Sequence, residues 1–111
     1  MTLSQQSCEA CRKGAPQLTG EALAAELKQL PDWQLITRDG VEQITRLFPF
    51  NTFKDALAFT QRVGDMAEGE GHHPVITTEW GKVTVVWWTH EIDGLHKNDL
   101  ICAAKTDALF D

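Results

Sequence analysis

Three histidines and one aspartate in the second half of the chain have residue types suited to proton transfer. His72, His73 and His90 fall within nineteen residues, and Asp99 follows nine residues later. An imidazole can both give and take a proton near neutral pH, and a nearby carboxylate can orient it. Because the same side chains also bind metal ions, the spacing indicates either acid–base catalysis or a metal site.

The adjacent pair His72-His73 favours acid–base catalysis. Neighbouring residues of an extended chain point to opposite sides, so two adjacent imidazoles do not easily bind one small ion. Pro74 favours an extended backbone at His73. We therefore expect one imidazole to act on an atom of a ligand while the other positions that ligand, with no metal or cofactor. A metal hydrolase that uses His72, His90 and Asp99 is the alternative.

His90 is predicted to precede the turn at Asp93-Gly94, and Asp99 is predicted to follow it. His90 ends a hydrophobic strand, where a rigid backbone can hold a catalytic side chain. Asp99 falls in the first turn of the last predicted helix. An acid there can compensate the helix dipole or orient an imidazole, and the spacing does not distinguish the two roles.

The elements that must position these residues follow the order α-β-β-α-β-β-α. Apolar residues at helical spacing alternate with β-rich runs, and Asp39-Gly40 and Asp93-Gly94 give turn signals. Two hairpins alternating with helices predict an α+β two-layer sandwich with a four-stranded antiparallel sheet and helices on one face. Predicted helices cover residues 19–30, 51–68 and 96–109, and predicted strands cover residues 33–37, 41–50, 75–80 and 83–90. Asn51 is the predicted cap of the second helix.

Length and composition predict one globular domain. The chain has 111 residues, of which 42 % are hydrophobic and 23 % charged. Residues 1–17 show no periodicity and are predicted to be a flexible arm, so the domain covers residues 18–111. A formal net charge of −6 disfavours nucleic acid as a partner. No apolar run is long enough for a membrane span and no signal peptide is recognisable, so we expect a cytoplasmic protein.

Three cysteines, Cys8, Cys11 and Cys102, argue against a disulfide framework. Cys8 and Cys11 form a C-x-x-C pair, which occurs in zinc sites and in redox motifs. No second pair follows, and the pair does not sit between a strand and a helix. We therefore expect no catalytic role for it.

The spaced residues together resemble the signature of the pterin-4a-carbinolamine dehydratases. The signature consists of Glu68-x-x-x-His72-His73-Pro74, then Trp80, His90 and Asp99. The resemblance covers residues 19–109, and it includes the segments Leu30-Pro31-Asp32-Trp33, Thr89-His90-Glu91 and Gly94-Leu95.

This resemblance implies a fold, an activity and partners. It implies the same two-layer sandwich and the dehydration of 4a-hydroxytetrahydropterin to quinonoid dihydropterin. That reaction recycles the pterin of aromatic amino acid hydroxylases. Members form homodimers or homotetramers, and animal members also act as dimerisation cofactors of a transcription factor. A non-enzymatic binding module is therefore a further alternative.

The resemblance also assigns site residues. The family's catalytic positions match His72, His73, His90 and Asp99. Predicted substrate-binding residues are Trp33, Glu68, Trp88, Thr89 and Glu91. The chain departs from the animal members at two positions that border the pocket. Gly71 replaces an acid, and Trp88 replaces a small hydroxyl residue.

Overall fold

Three α-helices and four β-strands confirm the predicted order in a computed structural model that describes residues 2–6, 8 and 17–110. Cys11 lies outside the described residues. The helices are α1 (Gly20–Leu27), α2 (Phe53–Glu70) and α3 (Lys97–Phe110), and the strands are β1 (Gln34–Arg38), β2 (Val41–Pro49), β3 (Val75–Glu79) and β4 (Lys82–Trp87). Short 3-10 turns cover Leu3–Gln5 and His90–Ile92.

The four strands form one antiparallel sheet in the order β1-β2-β4-β3. Alternate side chains point to opposite faces of a sheet. Ile44 and Phe48 of β2 and Val85 and Trp87 of β4 are fully buried. The indole nitrogen of Trp87 donates to the hydroxyl of Thr106 on α3, 3.2 Å away, so this face of the sheet packs against the helices. The predicted two-layer α+β sandwich is therefore confirmed.

The fourth strand is shorter than predicted. It ends at Trp87, and His90 lies in the 3-10 turn that follows. An isolated bridge between Thr89 and Gly94 closes this turn, and Asp93 takes a left-handed conformation with φ 48°. The chain therefore reverses directly after the strand, because residues 90–93 bulge out between the two bridge partners. His90 belongs to a turn and does not end the strand.

Two helix boundaries also differ from prediction. Helix α1 ends at Leu27, because the next residues form a turn in which the Leu30 amide donates to the carbonyl of Leu27. The cap of helix α2 lies one residue later than predicted, because the side chain of Thr52, and not that of Asn51, caps the helix. The Thr52 hydroxyl accepts from the amide of Asp55 at 3.1 Å.

Gly71 ends α2 and fixes the direction in which the chain leaves it. Its φ is 66°, and its amide donates to the carbonyl of Glu68. The next amide, that of His72, donates to the carbonyl of Ala67 at 3.2 Å. This pair of bonds is a Schellman motif, which needs a left-handed residue at the position of Gly71. The motif places His72 directly against the end of the helix.

We expect Gly71→Ala to lower the free energy of unfolding by about 1–2 kcal/mol, because an L-residue is strained in the left-handed region. Apart from Gly71 itself and its chain neighbours, no heavy atom lies within 4 Å of the position where the new Cβ would stand, so steric crowding adds nothing. Urea denaturation measures the change. The matched control is Gly69→Ala inside the helix, which should stabilise the protein by about 0.5–1 kcal/mol. Equal effects of the two variants would contradict the assigned motif.

The beginning of the chain contacts the domain. Leu3 is buried in the hydrophobic core, and the Lys105 ammonium of α3 donates to the carbonyl of Ser4 at 2.9 Å. The sequence did not predict that Leu3 belongs to the core. Leu3 and Ser4 of the predicted arm thus contact the folded domain.

Candidate active site

The carboxylate of Asp99 is the centre of the site. It is completely buried and makes three hydrogen bonds through its side chain. Its Oδ1 lies 2.6 Å from Nε2 of His72. Its Oδ2 accepts from the hydroxyl of Thr89 at 2.8 Å and from the amide of His96 at 2.9 Å. An ionised carboxylate only accepts, so Nε2 of His72 carries the hydrogen in this arrangement.

Three elements meet at this carboxylate. His72 follows the end of α2, Thr89 follows β4, and Asp99 lies in the first turn of α3. The ring of His72 stacks on Trp87, with 5.3 Å between centroids and 24° between planes, and is only 4 % exposed. Packing and hydrogen bonding therefore hold this imidazole in one orientation.

Asp99 also begins helix α3. His96 precedes the helix, and its Nδ1 accepts from the amide of Asn98 at 2.9 Å. In return, the Asp99 carboxylate accepts from the amide of His96. This reciprocal pair has the form of a capping box, with a histidine at the capping position. The same Asp99 carboxylate therefore caps the start of the helix and contacts an imidazole.

His73 forms a second, exposed pair. Its Nε2 lies 2.6 Å from Oε1 of Glu68, which is two residues before the end of α2. The side chains of His73 and Glu68 are 62 % and 79 % exposed. A carboxylate that holds an imidazole in solvent leaves the rest of the ring available to a ligand. The structure thus joins two residues that the sequence analysis assigned to different roles.

His90 forms the third imidazole group, beside Trp88. The two ring centroids are 4.4 Å apart and the planes are inclined by 42°. His90 and its neighbour Glu91 are exposed, and Trp88 is half-buried. A flat aromatic surface beside an exposed imidazole suits a flat heteroaromatic ligand.

Each exposed imidazole is next in the chain to a residue that contacts Asp99. His73 is adjacent to His72, and His90 is adjacent to Thr89, and both of those neighbours bond to Asp99. Adjacent Cα atoms are about 3.8 Å apart, so each exposed imidazole starts one residue away from the buried centre. The structure therefore joins His72 to Asp99 directly, and it places His73 and His90 next in the chain to residues that contact Asp99.

Trp33 lies elsewhere. Its indole nitrogen donates to Oδ1 of Asp107 at 2.9 Å, and its ring packs edge-on against Phe48. Asp107 follows Asp99 by eight residues, which is about 12 Å along α3. Burial raises the pKa of Asp107, while hydrogen bonds from Trp33 and Arg46 oppose that rise. The structure does not bring Trp33 to the histidines, and its described contacts are those of a core residue.

His96 is the site residue that sequence reasoning missed. The signal was present, since a histidine three residues before an acid at a helix start fits the spacing of a capping box. Asn, Asp, Ser and Thr are the usual caps, so the histidine was not interpreted as one. Thr89 was predicted to bind substrate, but it is buried and donates to Asp99.

Other features of the described residues bear on the alternatives. A cleft of about 410 Å³ is bordered by Asp32, Gln34, Thr45, Arg46, Leu47 and Thr84, and it contains none of the predicted catalytic residues. Within residues 2–6, 8 and 17–110, no three His, Cys, Asp or Glu side chains are grouped as metal ligands. Over the same residues, no helix has both the length and the apolar character of a membrane span.

Comparison with known proteins assigns the family. The family model described as pterin 4 alpha carbinolamine dehydratase matches residues 16–109. The chain belongs to the pterin 4 alpha carbinolamine dehydratase family. Dehydratases of this kind are hydro-lyases, which are enzymes that eliminate water.

Two bacterial relatives and one solved structure agree with this family. Proteins of Syntrophotalea carbinolica and Marinobacter nauticus, both named "Putative pterin-4-alpha-carbinolamine dehydratase", are 60 % and 58 % identical over 109 and 108 residues. These alignments cover 98 % and 97 % of this chain and 97 % of each relative. The crystal structure of a transcriptional coactivator/pterin dehydratase from Brucella melitensis matches with a TM-score of 0.78 at 32 % identity, covering 86 % of this chain and 100 % of that chain.

Proposed function

We propose that this protein dehydrates 4a-hydroxytetrahydropterin to quinonoid dihydropterin by histidine acid–base catalysis. Membership of the dehydratase family supports the reaction. The observation that carries the mechanism is the contact of the buried His72 imidazole with the Asp99 carboxylate. The pterin is the substrate, and the proposed mechanism uses no metal or further cofactor.

The reaction needs two proton transfers. The C4a–O bond breaks while a C4a=N5 double bond forms, so one proton goes to the leaving hydroxyl and one leaves N5. Two imidazoles can perform both transfers, because an imidazole can give and take a proton near neutral pH, and such catalysis typically contributes about 10²–10⁴-fold in rate. We assign these transfers to His72 and His90.

The contacts of His72 suit a proton carrier. A carboxylate bonded to one ring nitrogen fixes the tautomer and stabilises the imidazolium that forms when the ring takes a proton. Asp99 holds Nε2 of His72 in this way. Thr89 and His96 hold Asp99 in turn, so we assign Thr89 a positioning role through that carboxylate.

The exposed groups suit substrate binding. We assign His73, oriented by Glu68, to holding the pterin, and the half-buried ring of Trp88 to stacking on it. Glu91 is exposed in the same turn as His90, where its carboxylate can accept from the amino group and ring N–H groups of a pterin.

The proposed reaction implies partners. Quinonoid dihydropterin is the form from which pterin-dependent hydroxylases recover their cofactor, so we infer a functional link to an aromatic amino acid hydroxylase in the cytoplasm. Phe53 and Leu57 lie one turn apart on α2 and are about half exposed. We propose that such exposed apolar side chains are covered in a homodimer or homotetramer.

A rate measurement tests the proposed function. The 4a-hydroxytetrahydropterin is generated in situ, and its decay is followed by ultraviolet absorbance with and without the purified protein. We expect the protein to accelerate the decay, with the same rate after treatment with a chelator. No acceleration would reject the dehydratase. Loss of activity to the chelator would favour the metal enzyme, and partner binding that survives loss of all three histidines, without any acceleration, would favour a binding module.

A further inference from the structure

Two cysteines that are far apart in the sequence touch in the fold. The Sγ atoms of Cys8 and Cys102 lie 3.3 Å apart, although 94 residues separate them. Both are free thiols; Cys8 is half-buried and Cys102 is buried on α3. A disulfide has an S–S length of about 2.05 Å, so the two sulfurs are in contact but not bonded.

Further contacts hold Cys8 at this position. Its amide donates to Oε1 of Glu70 at 2.9 Å, and its thiol lies 3.8 Å from the carbonyl oxygen of Asn98. Glu70 is the last residue of α2, and Asn98 is in the first turn of α3. Cys8 therefore lies across the two helix ends that precede His72 and carry Asp99.

The two thiols differ in the way that an attacking and a resolving cysteine differ. The hydrogen bond with Cys8 and burial are the main causes that raise the pKa of the Cys102 thiol, and Asp99 and Glu70 add to the rise. Cys102 therefore keeps its proton, while Cys8 is the thiol that small oxidants in solvent can reach.

We propose that Cys8 and Cys102 are an oxidation site that closes to an intrachain disulfide. With hydrogen peroxide as oxidant, the Cys8 sulfur attacks one peroxide oxygen and the O–O bond breaks. Cys8 becomes a sulfenic acid, and the other oxygen departs as water. The Cys102 sulfur then attacks the Cys8 sulfur, the S–O bond breaks, and the Cys102 proton departs with the second water. Two thiols lose two electrons to one peroxide. This proposal is independent of the dehydratase reaction.

Peptide mapping tests the pairing directly. The folded wild-type protein is treated with hydrogen peroxide, its remaining thiols are blocked with N-ethylmaleimide, and it is digested without reduction. Cleavage after Glu9, Arg12, Lys97 and Lys105 separates the three cysteines into different peptides. We expect the Cys8 peptide linked to the Cys102 peptide, with Cys11 alkylated. A predominant link from Cys11 to Cys8 or to Cys102 would overturn the proposal.

Thermal unfolding provides a second measurement. A bond between residues 94 positions apart closes a long loop in the unfolded chain, so oxidation should raise Tm by about 10 °C, reversibly with dithiothreitol. Cys11→Ser is the matched control and should keep the whole shift. Cys8→Ser should abolish it, and a shift that persists in Cys8→Ser would contradict the site.

Discussion

Replacing Asp99 with alanine should lower the free energy of unfolding by about 3–5 kcal/mol. This is the range found when one member of a buried, hydrogen-bonded pair is removed and its partner stays buried. The carboxylate is completely buried and bonds to His72, Thr89 and the amide of His96. Its loss leaves all three groups without this partner and removes half of the capping box of α3. Urea denaturation followed by tryptophan fluorescence measures the change.

Two further variants serve as controls for this expected loss of stability. Asp99→Asn keeps oxygen and shape, so it should lose less than half as much as the alanine variant. Asp65→Ala removes an exposed acid from α2 and should change the free energy of unfolding by less than about 0.5 kcal/mol. A loss of about 0.5 kcal/mol in Asp99→Ala would contradict the central structural role of Asp99.

Replacing His72 or His90 with glutamine should lower kcat for 4a-hydroxypterin dehydration by about 10²–10⁴-fold. Glutamine at residue 72 places an amide N–H where Nε2 now contacts Asp99, so the hydrogen bond can persist while proton transfer is lost. This variant therefore separates a catalytic role from a structural one. Stopped-flow absorbance gives kcat and KM for each variant.

His73 provides the comparison. If it only holds the pterin, His73→Ala should raise KM and change kcat much less than the other two variants. His90 is exposed, so added imidazole should restore part of the rate of His90→Ala. A full rate in His72→Gln together with a large loss of kcat in His73→Ala would transfer the proton-carrying role to the exposed pair with Glu68.

The order of elements was predictable because each element carries a local signal. Apolar spacing identified α2, and the Asp93-Gly94 turn signal marked the reversal that follows β4. Boundaries were less accessible, since Asn51 and Thr52 are both good helix caps and only the geometry decides which one reaches the amide of Asp55. Sequence also could not show that the chain bulges at residues 90–93, because that depends on the pairing of Thr89 with Gly94.

The site shows the same division between local and spatial information. Residue types and spacing singled out the histidines and Asp99, and the fold joins His72 to Asp99. They could not separate Thr89, which supports Asp99 from inside, from the exposed Glu91. They also grouped Trp33 with the substrate-binding residues, because the residue type alone does not distinguish a core tryptophan from one that binds a ligand. Its bond to Asp107 was visible only in three dimensions.

The predicted catalytic groups all lie between the end of α2 and the first turn of α3, and this affects how the site assembles during folding. His72 and Asp99 are 27 residues apart, Thr89 and Asp99 are 10 apart, and His73 and Glu68 are 5 apart. Pairing of β2 with β4 joins more distant residues, such as Ile44 and Trp87. Short loops lose less entropy on closure than long ones. His72 and Thr89 therefore reach Asp99 by closing shorter loops than those that join β2 to β4. We expect substitutions in β1 or β2 to lower the free energy of unfolding without changing the contacts of Asp99.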